Sequence, residues 1–217
     1  MDKFENSQSL IDIGVNLTAS RFQKDITEVI QRAVSVGVTK MIVTGTSIEE
    51  SKAALALQQQ FPSALYATAG IHPHHASEFD EVSIDELSLL LAHQQVVAVG
   101  ECGLDYNRNF SSPESQRECF AAQIQLAARL NHPVFLHQRD AHDDFVKILK
   151  QAANNIPAGV LHCLTGNAKE LETYIEIGFY IGITGWLCDE RRGLGLKSLV
   201  NKIPLDRLLL ETDAPYL

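Results

Sequence analysis

Val96-Val97-Ala98-Val99-Gly100-Glu101-Cys102-Gly103-Leu104-Asp105-Tyr106 opens as an apolar, β-branched run and stops at a carboxylate held between two glycines. A valine-rich run of this kind suits a strand buried on both faces. A glutamate at its end is placed for chemistry rather than for packing. The arrangement recurs: Val134-Phe135-Leu136 leads to His137, Gly159-Val160-Leu161 leads to His162, and Leu208-Leu209-Leu210-Glu211-Thr212 leads to Asp213. Residues able to hold a divalent cation, scattered from position 101 to position 213, converge only if their strands lie side by side and parallel with their C-terminal ends together.

Outward from these four segments, the chain alternates short apolar runs with amphipathic ones. Leu10-Ile11-Asp12-Ile13 reads as a first strand and residues 21–36 as a helix, with Ile26, Val29, Ile30, Ala33 and Val34 at helical spacing and Gly37 as its stop. Strands follow at Met41–Val43, Leu65–Ala69, Val96–Val99, Val134–Leu136, Val160–Leu161, Phe179–Ile183 and Leu208–Leu210. Helices separate them at 48–60, 84–93, 113–130, 143–151, 168–177 and near 194–200. Eight strands of this type, without a glycine-rich nucleotide fingerprint or a Pro/Ser-rich linker, predict a single α/β domain over residues 1–217, a (β/α)8 TIM barrel. The sequence stops at Leu217, just past the eighth strand, so the barrel is expected to lack its last helix. The outer faces of strands eight and one are then expected to lose apolar cover, with lower thermal stability than a chain carrying the continuation.

With 217 residues, 45% hydrophobic and 21% charged, the composition is that of a globular domain with a sizeable core. No stretch approaches the roughly 18 consecutive apolar residues of a membrane span, and the start lacks the layout of a signal peptide, so a cytoplasmic location is expected. Cys102, Cys119, Cys163 and Cys188 form no C-x-x-C pair and are read as reduced thiols. A formal net charge of -9 gives no support for the broad basic surface of a non-specific nucleic-acid binder, so a polyanionic substrate must be held locally. Arg108, Arg139, Arg191 and Arg192, each a few residues past a strand end, are the candidate anchors; the alternative for each is a solvated surface charge.

Glu101, His137, His162 and Asp213 are the candidate metal residues. Two histidines on successive strand ends suit a borderline cation, and Asp213 is placed to accept a proton from an attacking water. Gly70-Ile71-His72-Pro73-His74-His75 follows the third strand, and His72 is assigned contact with a substrate oxyanion or support of the metal. His74 and His75 are expected as exposed loop residues. Asp105 either binds substrate and orients the loop or simply stabilises a turn.

Five segments, G-I-H-P-H, G-E-C-G-L-D-Y, P-V-F-L-H, G-V-L-H-C-L-T-G and E-T-D-A-P-Y-L, together resemble the TatD family of metal-dependent deoxyribonucleases, over a span from Asp12 to the end. The run Tyr180-Ile181-Gly182-Ile183-Thr184-Gly185-Trp186 is similar to the branch from which the family takes its name. The resemblance implies a Mg2+-dependent 3'-5' exonuclease acting on single-stranded DNA, with a role in DNA repair. Glu101, His137 and His162 then match the family's metal ligands and Asp213 its catalytic aspartate. Mn2+ or Zn2+ also suit the mixed donor set, and a monomer is expected. In place of the D-x-H-x-H opening of many relatives, the chain reads Asp12-Ile13-Gly14-Val15-Asn16, in which glycine supplies no ligand and the Asn16 amide a weak one. Hydrolysis of a small amide, lactone or phosphoester by the same chemistry, and a catalytically inactive barrel, are the competing readings.

Overall fold

The computed structural model describes residues 9–151, 155–190 and 193–216; Arg191 and Arg192, named above as phosphate anchors, lie outside the described residues. The strands are β1 (Leu10–Val15), β2 (Val38–Val43), β3 (Leu65–Ala69), β4 (Val96–Asp105), β5 (Val134–Arg139), β6 (Gly159–Leu161), β7 (Tyr180–Ile183) and β8 (Leu208–Leu210). Between them lie α1 (Ile26–Ser35), α2 (Ile48–Gln60), α3 (Glu81–Leu91), α4 (Pro113–Leu130), α5 (His142–Lys150), α6 (Ala168–Ile177) and α7 (Gly193–Val200). All strands pair in parallel with their sequence neighbours, in the order β1 to β8. This is the TIM-barrel arrangement, and no helix follows β8 among the described residues.

The seam between β8 and β1 is closed by loop backbone and side chains. Asp213 N donates to Gly14 O and Asn16 N to Ala214 O, both at 2.8 Å. Buried Asp12 accepts from the Thr212 amide at 3.0 Å and from the Thr212 hydroxyl at 2.6 Å. The outer faces of these strands are more open, with Leu10 44%, Ile11 51% and Leu210 51% exposed.

Alternate strand positions separate two apolar layers. Ile13, Ala98 and Phe135, joined by Ile42, Val160 and Leu209, fill the barrel interior. Val99, Leu136 and Leu161 face outward into the larger layer shared with the helices, where Phe120 of α4 stacks on Phe145 of α5 at 5.1 Å between ring centroids.

Strict alternation from inward Ala98 would turn Glu101 outward. The register with β5 shifts here: Val99 faces Val134, but Cys102 faces Leu136, so three steps on β4 match two on β5. This bulge restores Glu101 to the interior. It is also why β4 runs on to Asp105 instead of ending at Val99 as its valines predict. Gly100 and Gly103 make the irregularity possible, with φ of +139° and +150°. A Cβ would lie 2.1 Å from Phe135 O at the first and 1.8 Å from His137 O at the second.

Two helix starts also differ from the sequence expectation. Residues 20–22 form a separate 3-10 turn, because Asp25 leaves helical angles (φ -141°, ψ 29°) and α1 begins only at Ile26. Helix α3 begins at Glu81, ahead of the apolar periodicity, because Asp80 and Ser83 form a reciprocal capping box that fixes its first turn.

Candidate metal centre at the barrel mouth

Inward parity at the strand ends brings the predicted residues to one place. Phe135 lies one inward position below His137, and its ring packs 5.0 Å from that of His162, so an apolar floor underlies the polar cluster. Above it, Glu101 Oε1 meets three imidazoles: His162 Nε2 at 2.9 Å, His137 Nδ1 at 3.0 Å and His72 Nε2 at 3.3 Å. One ligand atom each from His72, Glu101 and His137 fall within 4.8 Å of one another, the spacing a single cation requires. Asp213 lines the same cleft, of about 370 Å³, with Arg108 and Arg139 on its wall.

Helix α4 holds the loops on which this depends. Two fully buried glutamines, two turns apart on one helix face, grip backbone next to site residues. Gln123 accepts from Ile71 N at 2.8 Å and donates to Ile71 O at 2.9 Å, fixing the residue before His72. Gln116 does the same for Asp105, at 2.8 Å and 3.1 Å. Each side-chain amide offers both donors and an acceptor, so the buried N–H and C=O of Ile71 and Asp105 are satisfied from the helix.

Asp105 divides its carboxylate. Oδ1 accepts from the Asn107 and Arg108 amides at 3.0 Å each and shapes the turn; Oδ2 accepts from His74 Nε2 at 2.8 Å and lies 3.6 Å from His137 Nε2. Although burial works against its charge, these donors hold the carboxyl far below the usual range. His74 is thus not the exposed loop residue expected: it is half-buried and edge-on to His72, with ring centroids 4.2 Å apart. His75 turns to Glu78 at 3.3 Å, its side chain 43% exposed.

Asn16, a weak ligand by its chemistry, donates its amide to Asp213 Oδ1 at 3.0 Å. Glu211, assigned no role in the sequence, is fully buried beside His162. His142, for which no function is claimed, pairs with Tyr174 at 2.8 Å. All four cysteines are free thiols.

Charge compensation in the cluster is carried by protons. Burial opposes charge on Glu101, yet His162 and His72 outweigh it and keep the carboxyl well below its ordinary value. His162, also buried, is pushed well above its ordinary value by Glu101 and Glu211. His72 goes the other way, down to about 4, because burial dominates, so its ring is neutral. Its Nδ1 accepts from His74 N at 3.1 Å, which places its proton on Nε2, toward Glu101.

The donor set fits a divalent cation on two grounds. His137 Nε2 is buried and makes no hydrogen bond, with Asp105 Oδ2 only an ion-pair neighbour at 3.6 Å, and a carboxylate lies among imidazoles whose protons a cation would replace. Mixed nitrogen and oxygen donors are compatible with magnesium, manganese or zinc.

Burial raises the Asp213 carboxyl from 3.8 to about 6. Its contribution to folding is complete below 3.8 and lost as pH rises through 6. Metal-free Asp213→Asn is therefore expected to exceed the parent chain in stability at pH 7, by on the order of 2–3 kcal/mol, with the advantage gone in acid. Urea midpoints across pH measure this; an equal gap at all pH values would exclude an ionising, buried Asp213.

The family model described as TatD related DNase matches residues 11–217. The chain is 54% identical over 208 residues to the "3'-5' ssDNA/RNA exonuclease TatD" of Musicola paradisiaca, covering 96% of this chain and 79% of that protein. Its identity to the protein of the same description from Pectobacterium carotovorum is 50%, covering 96% and 80%. Among solved structures, the Escherichia coli TatD homologue YJJV superposes with a TM-score of 0.87 at 35% identity, covering 95% of this chain and 79% of that one. A TatD family hydrolase from Entamoeba histolytica gives 0.87 at 32%, covering 96% and 75%. A 2,6-dihydroxybenzoate decarboxylase from Rhizobium, at 13% identity and 0.56, shares the fold alone. With a family model spanning nearly the whole sequence and relatives half identical over the same span, this chain belongs to the TatD-related DNase family.

Proposed function

We propose that the chain hydrolyses phosphodiester bonds of single-stranded DNA or RNA stepwise from the 3' end, with Mg2+ as the resident cation and Mn2+ or Zn2+ as substitutes. The observation that carries this reading is the convergence of His137 and His162 on Glu101 at the C-terminal mouth of a barrel whose half-identical relatives are described as 3'-5' ssDNA/RNA exonucleases. Glu101, His137, His162 and Asp213 are the residues assigned to the cation. Bound there, it supplies Lewis acidity toward a phosphoryl oxygen and toward water.

The chain's own groups account for the remaining steps. Asp213, on the wall of the cleft and oriented by the Asn16 amide, is the carboxylate that would accept a proton from the attacking water. His72, neutral with its proton on Nε2, presents an N–H rather than a lone pair, which suits hydrogen bonding to a phosphate oxygen. Arg139 and Arg108 on the cleft wall offset phosphate charge, and Asp105 keeps His74 and the Arg108 turn in place.

A polymer is favoured over a small molecule by the surroundings. The cleft shares Gln138 and Thr165 with a larger depression of about 880 Å³ between the loops that follow β5 and β6. Asp140, Asp143, Asp144 and Glu170 stand on its wall beside Lys169, so a polyanionic strand would keep to the side of the cleft that carries Arg108 and Arg139. Among the described residues, no helix is long and apolar enough to cross a membrane. Action as a monomer in the cytoplasm, contributing to DNA repair, completes the proposal.

Metal-stripped protein given Mg2+, Mn2+ or Zn2+ singly, with 3'-labelled and 5'-labelled single-stranded DNA and RNA, tests it. Cation-dependent shortening that releases the 3' label first is the expected result. No cleavage with any cation would overturn the nuclease reading in favour of a small-molecule hydrolase or an inactive barrel.

A further inference from the structure

Glu211 follows β8, and its side chain is fully buried. Its two oxygens have separate tasks. Oε1 accepts from the Cys163 amide at 2.5 Å, and Oε2 lies 3.2 Å from His162 Nδ1. The contacts span 48 and 49 residues and tie the end of β8 to the turn after β6. Cys163 has a positive φ of 47°, an uncommon conformation for a non-glycine residue, and its amide bond to Glu211 holds it there.

Two glycines form the slot for this carboxylate. A Cβ on Gly14 would lie 2.6 Å from Oε2, and one on Gly182 would lie 2.5 Å from Oε1. The glycine that departs from the D-x-H-x-H opening is thus matched to a specific occupant: Glu211 fills the space that a side chain at position 14 would need.

We propose that Glu211 is a positioning residue, which fixes the tautomer and orientation of His162 so that Nε2 presents a lone pair to the cation. This rests on the metal reading above. A carboxylate only accepts hydrogen bonds, so Nδ1 must carry the proton and Nε2, on the Glu101 side at 2.9 Å, is left to ligate. The negative charge also raises the basicity of the ring. Glutamine has nearly the same shape but opposite consequences. With its oxygen committed to the Cys163 amide, its NH2 group donates to Nδ1, and the ring proton moves to Nε2, where it blocks ligation.

The test uses Zn2+ as a diamagnetic probe on the full chain, with affinity measured by competition against a chelating indicator. Glu211→Gln is expected to weaken Zn2+ binding about 10- to 100-fold with far-ultraviolet circular dichroism unchanged. In the presence of saturating Zn2+, the imidazole 15N shifts of His162 are expected to show a protonated Nδ1 and a metal-bound Nε2 in the parent chain, and a protonated Nε2 without metal in Glu211→Gln. In a His162→Ala background, Glu211→Gln is expected to cost no further affinity, because the effect passes through that ring. Unchanged affinity in folded Glu211→Gln, or an equal loss in both backgrounds, would overturn the positioning role, the latter pointing to direct ligation. Failure of the parent chain to bind Zn2+ would instead overturn the metal reading itself. Should Glu211→Gln not fold, Gly14→Ala displaces the same carboxylate; retention of full Zn2+ affinity there would equally overturn the proposal.

Discussion

Replacement of Glu101 by alanine is expected to cut cation-dependent cleavage of single-stranded DNA by about a thousandfold or more, a loss on the order of 4 kcal/mol in transition-state stabilisation, while the barrel stays folded. The size follows from the position of Glu101: one oxygen faces His162, His137 and His72, so its removal disperses the whole donor set. The fold survives because the imidazoles can discharge themselves by losing protons, and His162 keeps Glu211 as a partner. Rates under single-turnover conditions, Zn2+ affinity and circular dichroism would be measured on the same preparation. A folded variant that binds no metal and still cleaves at the parental rate would remove Glu101 from the mechanism.

Gly103→Ala is expected to have the largest effect on stability. The new methyl would lie 1.8 Å from the His137 carbonyl oxygen, and the backbone would hold a side chain at φ +150°. Strain and overlap together cost on the order of 4 kcal/mol, which for a domain of this size lowers the thermal midpoint by roughly 10 °C. Gly178 is the internal control: it has φ +96° at the end of α6, but a Cβ there meets nothing within 4 Å. Gly178→Ala therefore carries strain without overlap, about 1 kcal/mol. Equal midpoints for the two variants would show that the close β4–β5 approach is not what requires Gly103.

The barrel was legible because each strand is a compact apolar run and each strand end carries a distinctive polar residue. Helices α2, α4 and α6 match their expected limits because apolar spacing and capping residues agree at Ser47, Ser112 and Asn167. The bulge at Gly100 and Glu101 was not legible, since a period-two pattern contains no mark for one extra residue. Glu211 carries no mark in the sequence, since its partners His162 and Cys163 lie 49 and 48 residues away. His74 differs from its exposed expectation for a related reason: two adjacent histidines look alike in sequence, but the 3-10 turn at Pro73–Glu78 sends one to Asp105 and the other to Glu78. Gln116 and Gln123 read as ordinary polar helix positions, and only the loops packed against α4 reveal their use.

The seam between β1 and β8 sets a condition on when the molecule becomes competent. Asp12 meets Thr212 across 200 residues, and Asn16 meets Asp213 across 197, so the proposed proton acceptor is oriented by the strand at the opposite edge of the sheet. Such remote pairings form late, after the loops between them have been ordered. A barrel in which β8 has not docked has neither the clasp nor an oriented Asp213, whatever the state of its first seven strands. Closure of the β1–β8 seam and orientation of Asp213 are therefore the same event.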